Sequence, residues 1–175
     1  MEYSKYVQQT HKDSTEWKTV SSIADKIHEW CNEKSIRLKL DKANRPKRNS
    51  KDVQDVLLPK LDQLGFSSEA KGLFNDYKTR QLRPDYYRKV EATGIIVEVE
   101  RGQTTINNAD LRDLWKCHIC KHADYLFIFV PVALKHKETD SPNNAYARVN
   151  NRLESFFDPE GSNYTNVRGL VVFGY

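Results

Sequence analysis

The chain has 175 residues, of which 38% are apolar and 30% are charged, and its formal net charge is +4. A chain of this length can bury most of its apolar surface without disulfides, and this composition excludes a disordered or fibrous protein. No apolar run approaches the roughly 20 residues that a membrane span needs, and the N-terminus lacks the apolar centre of a signal peptide. We therefore expect a single cytoplasmic domain, residues 1–175, with no membrane association.

Residues 1–65 are predicted to be mainly helical. Apolar side chains recur at helical intervals within residues 14–34, which predicts an amphipathic helix. The alternating apolar side chains of residues 36–40 predict a brief strand or extended arm that continues into a basic loop. A second helix is predicted to begin at Ser50 and to end at Gly65.

A basic arm, residues 34–51, lies within this region. It contains eight Lys or Arg residues and one acid, so it carries +7 while the rest of the chain sums to −3. Arg45, Lys47 and Arg48 form its densest part and could bind nucleic-acid phosphates. A solvated loop is the other interpretation of the same charges.

Residues 66–131 are predicted to form the centre of the fold. In the first part, residues 69–81, the apolar residues repeat with neither a helical nor a strand period. This part suggests the end of a helix followed by a strand. Residues 85–90 and 95–100 are predicted to form two strands of an antiparallel hairpin, joined by a turn in residues 91–94. Residues 107–122 have the 3.6-residue period of an amphipathic helix, and its predicted apolar face contains Leu111, Leu114, Trp115, His118, Ile119 and His122.

The uniformly apolar run of residues 124–134 predicts a central strand that ends at Pro131. Within the last region, residues 132–175, a helix over 145–157 and a buried strand over 167–175 are predicted. The order of these elements predicts an α/β fold, with a mixed β-sheet that contains an antiparallel meander and is flanked by helices.

Two acidic residues, Glu98 and Glu100, lie on one face at the end of the predicted strand of residues 95–100. The other face, with Val97, is expected to pack against the helix of residues 107–122. If the turn centres on Ala92 and Thr93, Asp85 lies opposite Glu100 and Tyr87 lies opposite Glu98. Three carboxylates would then share one sheet face, and a bound cation such as Mg²⁺ would relieve their repulsion. Alternatively, the two glutamates simply face water at an exposed strand end.

The sequence Pro84-Asp85, twelve residues, and then Glu98-Val99-Glu100 before a helix and an apolar strand resembles the PD-(D/E)xK nuclease superfamily. The resemblance covers residues 66–131. It implies a restriction-endonuclease-like fold and a Mg²⁺-dependent DNA endonuclease, with Mn²⁺ as a substitute ion. Because a duplex has two strands to cut, a homodimer is also expected.

Glu100 stands where the pattern of this superfamily usually has lysine, as in the E-x-E version of some type II restriction endonucleases. That similarity implies that Asp85 and Glu98 bind the metal and that Glu100 acts as a general base or second metal ligand. It also implies an additional acid, Glu69, from the preceding helix. Alternatively a lysine from elsewhere, with Lys89 the nearest candidate, replaces the missing one.

Two further hypotheses concern nucleic-acid binding. Arg101 and Gln103 follow the acids and could reach phosphate oxygens, or they belong to a polar loop before the next helix. If the missing lysine has abolished activity, the chain is a catalytically inactive nucleic-acid-binding module of the same fold.

Three cysteines, Cys31, Cys117 and Cys120, are too few for a disulfide framework and fit a reducing compartment. Cys117 and Cys120 form a Cys-x₂-Cys pair next to His118 and His122, which leaves a zinc-binding interaction protein as an alternative. A structural zinc ion needs four converging ligands, whereas the histidines are expected on the apolar face of the helix. The pattern therefore favours core or boundary residues.

Overall fold

The computed structural model describes residues 1–69, 74–75, 77–79, 82–102, 106–135, 137, 139–161 and 163–175. Over these residues the helices are α1 (Thr15–Cys31), α2 (Lys34–Ala43), α3 (Ser50–Gln63), α4 (Ala109–His118) and α5 (Ala145–Glu154). The strands are β1 (Glu2–Val7), β2 (Ser67–Ser68), β3 (Tyr86–Val90), β4 (Thr93–Val99), β5 (Tyr125–Val130) and β6 (Gly169–Gly174).

The strands form one mixed sheet in the order β1-β6-β5-β4-β3-β2. Strands β4, β5 and β6 are parallel, whereas β2, β3 and β4 form an antiparallel meander and β1 pairs antiparallel with β6. The predicted α/β class and the mixed sheet with flanking helices are confirmed. Strand β1 was not predicted, because its residues are only half-buried at the sheet edge and show no apolar alternation.

Each face of the sheet is covered by a different set of helices. The side chain of Val97 belongs to the core formed with α1, α2 and α3, whereas Ile96 packs with Leu114 of α4 and with residues of α5. The prediction that the Val97 face packs against the helix after the hairpin is therefore wrong. The face that carries Glu98 is the one covered by α4, because the N-terminal helices occupy the other face.

The prediction of a strand or extended arm at residues 36–40 is also wrong, since these residues belong to α2. Ile36 and Leu40 are buried one helical turn apart, while Leu38 is 53% exposed. Apolar residues at every second position suit either element, and packing of the i and i+4 pair decides for the helix. The predicted limits of the next helix, Ser50 and Gly65, are confirmed to within two residues.

The predicted hairpin of β3 and β4 is present, but its predicted register is wrong. Tyr86 pairs with Val97 and Val90 with Thr93, so Thr93 belongs to β4 and the turn consists of Glu91 and Ala92. Glu91 adopts a positive φ of 50°, which a tight two-residue turn requires.

The register moves the partners of two site residues. Tyr87 lies opposite Ile96 instead of Glu98. One pair further along, Asp85 comes opposite Glu98 instead of Glu100. Strand β5 ends at Val130, as the following proline predicts. None of the helices over the described residues is both long and apolar enough to cross a membrane.

Candidate active site

Two acidic side chains meet at the carboxyl end of β4. Glu98 points towards α4 and is only 4% exposed. Asp85 directly precedes β3, and its Oδ2 accepts a hydrogen bond of 2.8 Å from the backbone N–H of Val99. The antiparallel register therefore fixes the Asp85 carboxylate beside the backbone that carries Glu98.

Helix α4 supplies a lysine to these acids. The Nζ atom of Lys116 lies 3.0 Å from Oε2 of Glu98 and 3.2 Å from Oδ1 of Asp113. Asp113 is fully buried and the Lys116 side chain is 10% exposed. Residues 113 and 116 are three apart, which places both on the helix face that covers β4.

Glu100 completes the cluster. Its backbone N–H donates 2.9 Å to the carbonyl of Phe129 on β5, and its own carbonyl accepts a 2.8 Å hydrogen bond from the Tyr175 hydroxyl. The side chain is 16% exposed, and Arg112 lies 3.5 Å from its Oε1. We refer below to Asp85, Glu98, Glu100, Asp113 and Lys116 as the carboxylate–lysine cluster.

Crowding and burial perturb the carboxyl groups. Burial raises the pKa of Asp85 to about 6 although the Val99 N–H opposes the change. Burial, and then the charge of Asp113, raise the pKa of Glu98 well above its ordinary value. The same two causes, with a hydrogen bond to Asp113, raise the pKa of Glu100 to about 8. Burial and repulsion between the acids therefore favour the neutral forms of these carboxyl groups unless a cation lies nearby.

For Lys116, in contrast to the acids, the surroundings favour the charged form. Burial acts to lower its pKa, but attraction to Glu98 and Asp113 outweighs burial, and the pKa of Lys116 is raised. The ammonium group is thus the buried cation of this cluster, and the more exposed Arg112 lies beside Glu100. Lys116 compensates only part of the negative charge that the neighbouring carboxylates carry when ionised.

Two carboxylates of this site are donors of the type that a hard divalent ion takes. Mg²⁺ commonly takes one or two protein carboxylates and completes its shell with water and phosphate oxygens. Asp85 and Glu98 provide two such groups, and Oε1 of Glu98 is buried without a hydrogen-bond partner among the described residues. Over the same residues, no group of three or more His, Cys, Asp or Glu side chains is arranged to hold an ion.

The other predicted acid, Glu69, lies next to Asp85 but not on a helix. Helix α3 ends at Gln63, and Glu69 directly follows β2, so its expected helical position is wrong. Its backbone N–H donates 2.9 Å to the carbonyl of Asp85, and its side chain is exposed. Its charge contributes to the raised pKa of Asp85, behind burial and other neighbours.

Lys89, considered as a replacement for the missing lysine, does not reach the cluster. It pairs with Gly94 near the hairpin turn and is exposed. Lys89 lies four positions along the chain from Asp85, which corresponds to roughly 13 Å in a strand. Lys116 takes the position beside the acids instead.

Lys116 and Asp113 were missed because hydropathy assigns charged residues to the solvent-facing side of a helix. The predicted apolar face included Trp115 and Ile119, which are 53% and 40% exposed. The buried face instead contains Ala109, Asp110, Asp113, Leu114 and Cys117. An acid and a lysine three residues apart beside Leu114 and Cys117 were the available signal.

The predicted nucleic-acid contacts fall into two groups. Arg45, Lys47 and Arg48 are exposed on the α2–α3 loop. Arg101 is partly buried, and its guanidinium donates to backbone carbonyls of that loop, among them that of Asn44. Gln103 lies outside the described residues.

The Cys-His segment does not converge as a zinc site within the described residues. Cys117 is buried in the core, and helix α4 ends at His118. The Nδ1 atom of His118 accepts a 3.0 Å hydrogen bond from the backbone N–H of Asn166. Cys120 follows the helix, where its sulfur accepts a hydrogen bond from the His122 backbone N–H.

Comparison with protein-family models and with curated proteins gave no significant match for this sequence. The carboxylate–lysine cluster is therefore the feature of the molecule that marks a candidate active site.

Proposed function

We propose that this protein is a Mg²⁺-dependent DNA endonuclease in which Lys116 takes the role of the lysine absent at residue 100. The observation that carries the proposal is the 3.0 Å contact between Lys116 Nζ and Glu98 Oε2. The order of elements supports it as well: β2, β3 and β4 form a meander, and α4 leads to β5, which is parallel to β4. This is the arrangement expected for the core of a restriction-endonuclease-like fold.

Asp85 and Glu98 would hold Mg²⁺, or Mn²⁺ in its place. When bound, such an ion supplies an activated water and neutralises charge on a phosphodiester. The Val99 N–H orients the Asp85 carboxylate, and Lys116 favours the ionised form of Glu98. An oriented Asp85 and an ionised Glu98 are the forms of these acids that would bind a cation.

Lys116 also has a donor available for substrate. An ammonium group has three N–H donors, and two of them face Glu98 and Asp113. The third can donate to a phosphate oxygen as negative charge develops there. Asp113, whose Oδ1 lies 3.2 Å from the ammonium, holds Lys116 in position.

Nicking of supercoiled plasmid in Mg²⁺ or Mn²⁺ tests this function. Glu98→Gln and Lys116→Gln are expected to reduce the rate by about 100-fold or more, the loss typical of removing one group that stabilises a transition state. Lys121→Gln is the matched control, because Lys121 is an exposed lysine nearby in sequence and outside the cluster. Circular dichroism establishes that each variant is folded.

Metal-dependent cutting that survives Glu98→Gln would place catalysis elsewhere. Salt-dependent DNA binding with no cutting in either ion would favour the inactive binding module, to which the exposed cations of the α2–α3 loop also belong. Homodimer formation stays a prediction, and sedimentation of the protein with and without DNA measures it.

A further inference from the structure

Arg101 anchors the α2–α3 loop to the end of β4. One guanidinium nitrogen donates to the carbonyl of Asn44 at 3.0 Å and to that of Arg45, and the other donates to the carbonyl of Arg48 at 2.6 Å. A planar guanidinium suits such a set of acceptors, whereas the single ammonium of lysine does not. Since Arg101 follows Glu100 directly, the loop is held beside the carboxylate–lysine cluster.

A second contact, from the side chain of Asn44, fixes the same loop. The side-chain amide of Asn44 donates 2.9 Å to the carbonyl of Ala133, just after β5. The carboxyl ends of parallel strands β4 and β5 lie at one edge of the sheet, so both anchors hold the loop at that edge. A duplex lying across this edge would meet the loop and the cluster together.

The basic arm, residues 34–51, presents its charge to solvent. All eight of its cations are exposed: Lys34, Arg37, Lys39, Lys42, Arg45, Lys47, Arg48 and Lys51. Over the described residues only Arg48 and Lys51 form ion pairs, with Asp52 at 3.2 Å and Asp55 at 2.8 Å. Among the described residues, most of the charge of the arm therefore has no ion-pair partner.

The size and charge of this surface match a nucleic-acid backbone. Helix α2 has 10 residues and is about 15 Å long, and about 15 Å of duplex DNA carries roughly nine phosphate charges. The start of α3 is already capped, because Asn49 and Asp52 form a capping box. Phosphates at the loop would thus be bound by side chains and not by a free helix N-terminus.

We propose that Arg45, Lys47 and Arg48, held in place by Arg101, bind the phosphate backbone of duplex DNA beside the carboxylate–lysine cluster. The inference rests on the proposed function, because it takes the substrate of that site as the ligand. Arg101 is a positioning residue in this arrangement, since its donors are used on carbonyl groups and not on phosphate.

Fluorescence anisotropy with a labelled DNA duplex in EDTA tests the surface without any cleavage. The variant Arg45→Gln/Lys47→Gln/Arg48→Gln is compared with Lys12→Gln/Lys18→Gln/Lys26→Gln, which removes the same charge from exposed positions outside the arm. The slope of log affinity against log salt is expected to fall by about 3 in the first variant and by less than 1 in the control. Equal slopes in the two variants would overturn the proposal.

Arg101 is tested separately with Arg101→Lys and Arg101→Gln. If Arg101 contacted phosphate directly, lysine would preserve binding and glutamine would lower the slope by about 1. If Arg101 positions the loop, both variants lower the slope by more than 1, because the three cations lose their common placement. Wild-type binding by Arg101→Lys would overturn the positioning role.

The duplex is compared with single-stranded RNA of equal charge. Tighter binding of the RNA by wild-type protein, lost in the same triple variant, would overturn the choice of duplex DNA. Because all binding is measured in EDTA, a protein that binds through this loop and never cuts would contradict only the proposed nuclease activity. A protein that cuts but binds equally well without the loop cations would contradict only this inference.

Discussion

Lys116 compensates two buried carboxylates, so removing its charge is expected to destabilise the fold. In Lys116→Met the partners Glu98 and Asp113 lose an ammonium at 3.0 and 3.2 Å. Breaking a buried ion pair from one side costs about 3–5 kcal/mol, and we expect a loss of that order in the free energy of unfolding at pH 7. Urea unfolding measures it.

The double variant Glu98→Gln/Lys116→Met is the control for this prediction. With one carboxylate neutralised, part of the stability lost in Lys116→Met should return, so the two changes are not additive. Additive losses would mean that Lys116 and Glu98 do not interact in solution.

Glu100 is expected to make stability depend on pH. Its pKa in the folded protein is about 8, against 4.5 for an unperturbed glutamate, so the folded state binds the proton more tightly than the unfolded chain does. The stabilisation that this provides is complete below the unfolded pKa and is lost as pH rises through about 8. In metal-free buffer wild-type protein should therefore lose stability between pH 4.5 and pH 8.

Glu100→Gln removes this titration while keeping a neutral side chain of similar shape. Relative to wild type, its unfolding midpoint should rise between pH 4.5 and pH 8 by about 2–4 °C for each kcal/mol recovered. Thermal unfolding followed by circular dichroism in EDTA measures the difference. A difference that is the same at both pH values would contradict the raised pKa.

At the level of elements, strands that consist of continuous apolar runs could be predicted from sequence, and so could the hairpin. The register of that hairpin could not be predicted, because Glu91 adopts a positive φ, which is uncommon for glutamate. For the same reason, Asp85 was predicted to lie near both glutamates but was paired with Glu100 instead of Glu98. The pairing of Asp85 with Glu98 depends on a turn that is one residue earlier than expected.

The orientation of helix α4 is a second feature that could not be predicted from the sequence. The existence of the helix followed from periodicity, but its orientation places Asp113 and Lys116 on the buried face, where Lys116 forms ion pairs with both Asp113 and Glu98. A pattern of apolar residues contains no information about such compensation. The predicted apolar face therefore included Trp115, which is exposed, and the site's lysine was sought on β3.

Close packing around β4 leads to a further prediction. A methyl group at Gly94 would lie 2.8 Å from the carbonyl oxygen of Arg88 and 2.9 Å from that of His122. These backbone atoms cannot move aside without shifting β3 or the segment after α4, so Gly94→Ala should destabilise the protein by about 1–3 kcal/mol. Urea unfolding with an unchanged midpoint would show that the strand pair adapts freely.

At the scale of the whole molecule, a bound divalent ion should stabilise the native state. A ligand present at 100 times its dissociation constant adds about 2.7 kcal/mol, so saturating Mg²⁺ is expected to raise the unfolding midpoint by about 5 °C or more. Differential scanning fluorimetry measures this in wild type, in Glu98→Gln and in Lys89→Gln.

Glu98→Gln should lose the stabilisation, because it removes one of the two carboxylates assigned to the ion. Lys89→Gln should keep it, since Lys89 is exposed near the hairpin turn. Equal stabilisation of all three proteins would indicate that the ion binds elsewhere on the chain.

The anchoring of the α2–α3 loop by Arg101 has a consequence for the order of assembly. The carboxylate–lysine cluster is drawn from residues 85–116, whereas Arg101 reaches back 57 positions to Asn44. The entropy cost of closing a chain segment grows slowly, by about 0.6 kcal/mol for each doubling of its length. Because the closure made by Arg101 is less than twice as long as the span of the cluster, we expect the loop and the cluster to become ordered in the same folding step.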